Sequence, residues 1–223
     1  LFDTGLAKYL MPALKEVANE LKTPVAIHLD HGAGMPQAVR AIKYGATSVM
    51  IDASTKAFEE NVETTRAVVN IAKCGGITVE GELGHVGSAA NGDEAGSYTE
   101  VGAAAEFVKQ TGVDALAVMV GTAHGKYKKA PVLAIDRIAE LHKAVNSHLV
   151  LHGGSGVPDD QIKAAVKAGV RKINYATDVC CAYIECCKQL DPYSEPFDML
   201  LTHPENAVKE FAADRIRLLG GAR

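Results

Sequence analysis

Residues 24–32 read PVAIHLDHG, a short apolar run that ends on Asp30, His31 and Gly32. A run of this length and composition predicts a strand that is buried on both faces, as in a parallel sheet. Parallel α/β folds bind their ligands at the carboxyl ends of the strands, so an acid and an imidazole at this position indicate a functional site. The same pattern recurs along the rest of the chain.

Short apolar runs alternate with amphipathic stretches, and glycine-rich or polar turns separate the two. The predicted strands are 24–29, 47–51, 77–83, 115–120, 148–151 and 170–174. The predicted helices are 11–21, 35–44, 59–74, 100–110, 133–145, 159–168, 177–190 and a last one near 204–219. Strict alternation of strand and helix predicts an α/β fold with a parallel sheet covered by helices.

Two parallel architectures fit this alternation, and the polar residues distinguish them. An open doubly wound sheet gathers its ligand at one switch point, whereas a (β/α)₈ TIM barrel builds its site from many strand ends. Here every predicted strand ends on polar residues, namely Asp30 with His31, Asp52, Glu80 with Glu82, His124, His152 and Asn174. We therefore expect a single (β/α)₈ barrel domain over residues 1–223. Six strands cannot close an eight-stranded barrel, so we expect the first two βα units to be lacking.

Composition excludes several classes of function. The formal net charge of −4 and the pI near 6.1 provide no basic surface for nucleic acid or anionic lipid. No apolar stretch approaches the ~20 residues that span a bilayer, and the first residues show no secretory pattern. The five cysteines match neither a zinc ribbon nor a disulfide framework. We expect a cytoplasmic protein whose cysteines are reduced, small side chains in a packed helix.

Three predicted strands are followed by a histidine beside glycine, in the segments LDHG, TAHG and LHGG. One histidine at a strand end is more often a packed, hydrogen-bonded residue than a ligand. Three at one rim of a sheet favour a metal site. Neutral imidazoles bind Zn²⁺, and three protein ligands leave a fourth position open, as in catalytic zinc sites. The sequence therefore predicts a zinc site at His31, His124 and His152.

Carboxylates and phosphate-binding loops complete the predicted rim. Asp30 stands beside His31, where it could move a proton next to a metal. Asp52, Glu80 and Glu82 end the next two strands, which indicates cation binding, although Asp52 could also only balance nearby charge. Two donor-rich loops, residues 153–156 and 174–177, follow the last two predicted strands, and Lys126 and Lys128 follow His124. Barrels commonly bind phosphate at this position, so we expect a phosphorylated small molecule.

Together these segments resemble the class II, metal-dependent ketose-bisphosphate aldolases, the family of fructose-bisphosphate and tagatose-bisphosphate aldolases. The resemblance covers essentially the whole chain and rests on PVAIHLDHG, SVMIDAS, FEENVETT, VEGELGHVG, GTAHGKYK, LVLHGGSGVP and KINYATD. Members of the family carry further residues at the N-terminus, which agrees with two missing strands. The resemblance implies a TIM barrel, a cytoplasmic location and assembly as a homodimer or homotetramer.

The resemblance also implies a role for each site residue. Asp30 is the catalytic acid and base, and His31, His124 and His152 hold the catalytic Zn²⁺. Asp52 and Glu82 bind a second divalent or a monovalent cation, with Glu80 as a candidate helper. The implied contacts to dihydroxyacetone phosphate are Gly125, Lys128, Gly153, Gly154, Ser155, Asn174, Tyr175, Ala176 and Thr177.

Two further histidines are placed outside the metal site. His28 shares strand parity with Asp30 but lies deeper in the strand, so we expect a hydrogen-bonded interior residue. His85 lies in a glycine-rich segment, residues 85–92, that we expect to be mobile, and its role stays open.

The implied activity is the zinc-dependent, reversible aldol cleavage of a ketose 1,6-bisphosphate in glycolysis or related carbohydrate metabolism. Fructose 1,6-bisphosphate is the first candidate substrate and tagatose 1,6-bisphosphate the second; the products are dihydroxyacetone phosphate and glyceraldehyde 3-phosphate. Two alternatives remain at this point. One is a metal-dependent hydrolase on the same barrel, and the other is a sugar-phosphate-binding protein without catalysis.

Overall fold

The strands of the computed structural model are short and alternate with helices. The model describes residues 5–87 and 97–221 of the 223-residue chain. The strands found there are β1 (His28–Gly32), β2 (Ser48–Ile51), β3 (Thr78–Leu83), β4 (Ala115–Val118), β5 (His148–Leu151) and β6 (Val170–Ile173).

A helix follows each strand, and further helices begin and end the described chain. They are α1 (Ala7–Glu20), α2 (Met35–Lys43), α3 (Phe58–Cys74), α4 (Val101–Thr111), α5 (Ile135–Ala144), α6 (Asp159–Ala168), α7 (Thr177–Cys187), α8 (Phe197–Leu200) and α9 (Thr202–Leu218). Local sequence explains several of their ends. Glu59 and Glu60 occupy the first turn of α3, where acids interact favourably with the helix dipole. Gly112 ends α4 in the left-handed conformation, which glycine adopts readily.

The sheet has the strand order that the sequence predicts. Its strands neighbour one another in chain order from β1 to β6, and the pairs from β1–β2 to β4–β5 are parallel. Parallel strands in chain order, each followed by a helix, are the repeating unit of the TIM barrel. The predicted α/β class is therefore confirmed.

Within the described chain, residues group into two compact units. The first contains residues 5–85, 97–119 and 140–150, and the second contains residues 86–87, 120–139 and 151–221. Met50, Ala117 and Val150 form a fully buried cluster in the first unit, one each from β2, β4 and β5. The single domain expected over residues 1–223 stays a prediction.

Strand β1 differs most from its predicted position, residues 24–29. Pairing with β2 begins near Ile27, whose carbonyl accepts the Thr47 and Ser48 N–H groups at 2.9 and 3.2 Å. It continues to Gly32, which aligns with Ile51, whereas Leu29 aligns with Val49. Three steps on β1 thus match two steps on β2, which is a β-bulge with one extra residue. The observed strand therefore starts later than predicted and ends at Gly32, because the bulge continues the pairing past Asp30 and His31.

Two helices also differ from the sequence-based expectation. Helix α1 starts at Ala7 rather than Met11 and continues through Pro12. The four-residue helix α8 lies between two predicted helices, in a segment for which the sequence analysis predicts no element.

The described residues also show whether any helix could span a membrane and whether the cysteines are paired. Among the described helices, none combines the length and the apolar character that crossing a bilayer requires. All five cysteines are free thiols. Cys74 ends α3, and the other four lie in α7, which is less packed than expected, since none of its residues is fully buried and Cys180 is exposed.

Candidate active site

The β-bulge places the first group of site residues at the end of β1. His31 lies in the left-handed region with φ of +47°, which is uncommon for a residue with a side chain. Gly32 follows without a side chain, because a Cβ there would lie 2.5 Å from the Met50 carbonyl oxygen. The bulge releases Asp30 and His31 from the strict alternation of a regular strand. Asp30 is exposed and His31 is half-buried.

His31 is held by a carboxylate from the neighbouring strand. Its Nδ1 lies 2.8 Å from Oδ2 of Asp52, the residue that follows β2. Oδ1 of Asp52 accepts two further hydrogen bonds, from the Ser54 backbone N–H at 3.1 Å and from the Ser54 hydroxyl at 2.7 Å. With Nδ1 bonded to Asp52, Nε2 of His31 is the nitrogen that would meet an ion.

The protonation of this pair follows from these contacts. The hydrogen bond to Asp52 raises the pKa of His31, burial opposes that rise, and the charges of Asp30 and Glu82 add to it. Burial alone would raise the pKa of Asp52, but the hydrogen bonds from His31 and Ser54 outweigh it and hold that pKa well below its usual value. Asp52 is therefore a carboxylate throughout the physiological range.

Glu80 and Glu82 face the same side of β3, as their spacing predicts. A Cβ on Gly81 would lie 3.0 Å from the Phe107 ring and 3.2 Å from the Thr65 side chain, so Gly81 faces α3 and α4. Side chains alternate along a strand, so Glu80 and Glu82 point away from those helices. Both are buried, with exposed fractions of 2% and 0%. The end of β3 is anchored by Asn61, whose Nδ2 donates to the Glu82 carbonyl at 2.9 Å.

Three side chains of the first unit form a group that suits a cation. One ligand atom each of His31, Asp52 and Glu82 lies within 4.8 Å of the others. An imidazole nitrogen and carboxylate oxygens are donors that zinc accepts, and carboxylates also suit harder divalent ions. The donor set therefore fits a metal ion, whereas the sequence-based prediction divides these residues between two ions, with His31 on the catalytic zinc and Asp52 and Glu82 on a second cation.

Two further histidines of the first unit, His28 and His85, lie outside this group. Nδ1 of His28 lies 2.9 Å from the Ser48 hydroxyl, and its Nε2 lies 3.6 Å from Glu80. His28 is thus the hydrogen-bonded residue that we expected from its position. His85 is exposed, and its Nδ1 lies 3.2 Å from the Ser54 hydroxyl. Residues 88–92 of the segment expected to be mobile lie outside the described part of the chain.

The second unit contains the other two predicted zinc ligands. The rings of His124 and His152 meet edge to face, with their centroids 5.6 Å apart. His152 is fully buried at the end of β5, and His124 is half-buried in the loop after β4. Gly153 follows His152 with φ of +66°, and a Cβ there would lie 2.3 Å from the Ala123 carbonyl oxygen. The two histidine loops therefore touch, and only glycine allows that approach.

The loops after β5 and β6 are joined through their backbones. The Asn174 N–H donates to the Leu151 carbonyl at 3.0 Å, and the Gly154 N–H donates to the Asn174 carbonyl at 3.0 Å. Ser155 Oγ accepts the Asp178 N–H at 3.1 Å at the start of α7. A hydroxyl that accepts one hydrogen bond still has its proton to donate, so Ser155 can also bind an anion.

A cavity of about 260 Å³ lies beside these loops in the second unit. Four of the residues predicted to bind substrate line it: Gly125, Lys128, Ser155 and Thr177. Lys126 and Lys129 line it as well, so that three lysines against the one carboxylate of Asp178 leave its wall positive. A positive cavity at the N-terminus of a helix suits a phosphate group.

The other predicted substrate residues have different surroundings. Asn174 Oδ1 accepts a hydrogen bond from Lys172 at 2.7 Å. The Tyr175 ring packs edge to face against Phe211 of α9, with centroids 6.1 Å apart. Gly153, Gly154, Asn174, Tyr175 and Ala176 do not line the cavity.

Several side chains next to the predicted site escaped the sequence analysis. Ser54 follows Asp52 by two residues, a spacing at which aspartate commonly accepts a backbone N–H, so this contact was predictable. Tyr127 links the two histidine loops through its hydroxyl, and its sequence position gives no such signal.

Comparisons with known proteins agree with this geometry. The family model of class II fructose-bisphosphate aldolases matches residues 2–223. The chain is 40% identical over 212 residues to the sulfofructosephosphate aldolase of Alkalicoccus urumqiensis, covering 93% of this chain and 74% of that protein. It is 37% identical over 233 residues to the fructose-bisphosphate aldolase of Geobacillus stearothermophilus, covering 98% and 80%.

A solved structure agrees as well. The crystal structure of the YdjI aldolase from Escherichia coli K12 superposes with a TM-score of 0.86 at 37% identity, covering 96% of this chain and 76% of that one. The chain belongs to the class II fructose-bisphosphate aldolase family. Family members carry different substrate names, so membership defines the class of reaction and not the sugar.

Proposed function

We propose that this chain is a zinc-dependent aldolase that reversibly cleaves a ketose 1,6-bisphosphate to dihydroxyacetone phosphate and glyceraldehyde 3-phosphate. Fructose 1,6-bisphosphate is the first candidate substrate and tagatose 1,6-bisphosphate the second. The observation that carries the proposal is the group of His31, Asp52 and Glu82, whose ligand atoms lie close enough to suit a cation, with the acid Asp30 next to His31 in the chain. We place the enzyme in the carbohydrate metabolism of the cytoplasm, with glycolysis as the first candidate.

In this proposal, His31, His124 and His152 would hold the catalytic zinc. All three end a strand or follow one, and a glycine follows each. Bound zinc supplies Lewis-acid stabilisation of the negative charge that develops on a carbonyl oxygen. Asp52 and Glu82 are proposed to bind a second divalent or a monovalent cation, and Asp52 in addition orients His31.

Asp30 carries the proton transfer. During cleavage, its carboxylate takes the proton of the C4 hydroxyl, the C3–C4 bond breaks, and the bonding electron pair stays on C3 as an enediolate. The C4 fragment leaves as glyceraldehyde 3-phosphate. Protonation of C3 then gives dihydroxyacetone phosphate. In the synthetic direction, Asp30 returns the proton to the new hydroxyl.

The positive cavity of the second unit is proposed to hold the phosphate of dihydroxyacetone phosphate. Lys128, the hydroxyls of Ser155 and Thr177 and the N–H groups near Gly125 supply the donors. A fixed phosphate holds the reacting carbons in one orientation relative to Asp30. Binding thereby increases the rate of the reaction.

Substrate choice is tested with the purified chain loaded with Zn²⁺. Cleavage of fructose 1,6-bisphosphate, tagatose 1,6-bisphosphate and sulfofructose phosphate is followed by detection of the triose phosphate, with and without a chelator. We expect chelator-sensitive release of dihydroxyacetone phosphate, fastest from fructose 1,6-bisphosphate. A hydrolase would release no triose phosphate, and a protein that only binds sugar phosphates would bind the substrates without cleaving any.

Two variants separate the roles of acid and metal. Asp30→Ala is expected to lower turnover by at least about 100-fold while the zinc content stays at the wild-type level. His152→Ala is expected to lower both. Asp136→Asn, an exposed acid on α5, is the control and should change neither. Full activity in the Asp30→Ala enzyme would overturn the role of Asp30.

We also infer a homodimer or homotetramer. Exposed apolar side chains near the C-terminus support this assignment, among them Ile184, Phe197 and Met199. Light scattering coupled to size-exclusion chromatography tests it, and a monomer at micromolar concentration would contradict it.

A further inference from the structure

The hydroxyl of Tyr127 connects the two histidine loops of the second unit. It accepts the Ala123 N–H at 2.7 Å and lies 2.7 Å from the Ala123 carbonyl oxygen. It also lies 2.9 Å from the Gly153 carbonyl oxygen. Ala123 precedes His124 and Gly153 follows His152, so each contact is one residue away from a predicted zinc ligand.

The hydroxyl has one proton for two carbonyl oxygens. Both distances are within hydrogen-bonding range, so the proton is shared between the loop after β4 and the loop after β5. Burial raises the pKa of Tyr127, and the contact with Ala123 only partly opposes this rise. The phenol therefore keeps its proton at neutral pH and remains a donor to the loops.

The Tyr127 side chain lies close against the loop after β5 and also lines the positive cavity. A Cβ on Gly153 would lie 3.0 Å from the Tyr127 hydroxyl oxygen, and one on Gly156 would lie 3.3 Å from its Cδ2. The phenol is thus in close contact with the loop that follows His152. A rigid group in this position fixes a distance, whereas a long flexible side chain would not.

We propose that Tyr127 is a positioning residue that sets the spacing between His124 and His152 for zinc binding. This inference rests on the proposed function. The two imidazoles stand with their centroids 5.6 Å apart, and their backbones are tied together through one hydroxyl group. Loss of that hydroxyl leaves the Ala123 N–H and two carbonyl groups without this partner, and the loops then relax.

The loss is expected to act on metal binding more than on folding. Groups that orient metal ligands commonly change metal affinity by about 10–100-fold when they are removed. Tyr127→Phe keeps the ring and its packing, so it removes the hydrogen bonds alone. Tyr193→Phe is the matched control, because Tyr193 is 94% exposed and undergoes the same change outside both histidine loops.

The test uses the complete chain with Zn²⁺ and with Co²⁺ as a coloured substitute. Zinc affinity is measured by competition with a chelator, and the visible absorption of the Co²⁺ protein reports the geometry of its ligands. Tyr127→Phe should weaken zinc binding by about 10–100-fold and change the Co²⁺ spectrum, while Tyr193→Phe should match the wild type in both.

A purely structural role predicts another outcome. The melting temperature of Tyr127→Phe would then fall while zinc affinity and the Co²⁺ spectrum at low temperature stay unchanged, and this result would overturn the inference. Tyr127→Met, which fills the space without a hydroxyl, decides the question if the phenylalanine variant does not fold. A wild-type chain that binds neither ion would instead contradict the proposed function, so the two failures are distinguishable.

Discussion

Nδ1 of His31 and Oδ2 of Asp52 lie 2.8 Å apart, and they join the ends of the neighbouring strands β1 and β2. The contact fixes which imidazole nitrogen remains for a metal, and Ser54 holds the carboxylate from its other side. In the proposed enzyme, Asp52 would therefore act on zinc through His31 without being a ligand of that ion.

Asp52→Asn is expected to weaken binding of the catalytic zinc by about 10–100-fold, because an amide orients the imidazole less strongly than a carboxylate does. Chelator competition measures the affinity, and metal analysis measures the number of ions bound. Asp136→Asn serves as the control. If the zinc affinity of Asp52→Asn is unchanged and a second ion is lost, Asp52 binds the second cation and does not orient His31 for zinc.

The same pair predicts a pH dependence of stability in the metal-free chain. His31 has a raised pKa in the folded chain. Its contribution to the free energy of unfolding is therefore complete below its unfolded-state pKa of about 6.5, and it disappears as the pH rises through its folded-state pKa. Asp52 has a lowered pKa in the folded chain. Its contribution to the free energy of unfolding is therefore present above its unfolded-state pKa of about 3.9, and it disappears as the pH falls through its folded-state pKa.

The two contributions overlap between about pH 4 and 6.5. There, Asp52→Asn should lower the free energy of unfolding by about 1 kcal/mol, and by less at pH 8.5. Urea denaturation in the presence of a chelator measures both values. An equal loss of unfolding free energy at both pH values would show that His31 and Asp52 do not form a charged pair in the folded chain.

Gly153→Ala is expected to destabilise the chain by about 2 kcal/mol or more. The residue is left-handed, and the new Cβ would lie 2.3 Å from the Ala123 carbonyl oxygen. Gly102→Ala is the matched control, since a Cβ there meets nothing within 4 Å and the helical position should gain about 0.5 kcal/mol. Thermal unfolding followed by circular dichroism compares the two; similar melting temperatures would contradict the contact between the loops.

Lys128→Ala should raise the KM for dihydroxyacetone phosphate about tenfold in the synthetic direction, because one charged donor to the phosphate is lost. The zinc content should not change. Lys163→Ala removes an exposed lysine of α6 that does not line the cavity and should leave KM at the wild-type value. Equal KM values in the two variants would exclude Lys128 from the phosphate site.

Much of the fold was predictable because its signals are local. Helix α6 begins and ends at the predicted residues, since Pro158 and two aspartates mark its start and Gly169 its end. Strand β5 also coincides with its prediction. The alternation of such elements was sufficient to define the α/β class.

The features that escaped prediction depend on residues that are distant in sequence. The bulge in β1 exists only relative to β2, so no pattern within residues 24–32 reveals it. The contact between Tyr127 and Gly153 spans 26 positions and requires two loops to meet. Chemical identity was sufficient to name candidate site residues, whereas their hydrogen-bonding partners required the structure.

The extra residue at the end of β1 also has a consequence for how such a site can change over evolution. A regular strand turns successive side chains to opposite faces, so it could present either an acid or an imidazole to one face at this point, but not both. A single inserted codon removes that restriction and lets neighbouring positions take on separate tasks. Deleting one codon here would restore the regular ladder and uncouple the two residues. A change in length at this point therefore alters the placement of Asp30 and His31 at once, which no single substitution does.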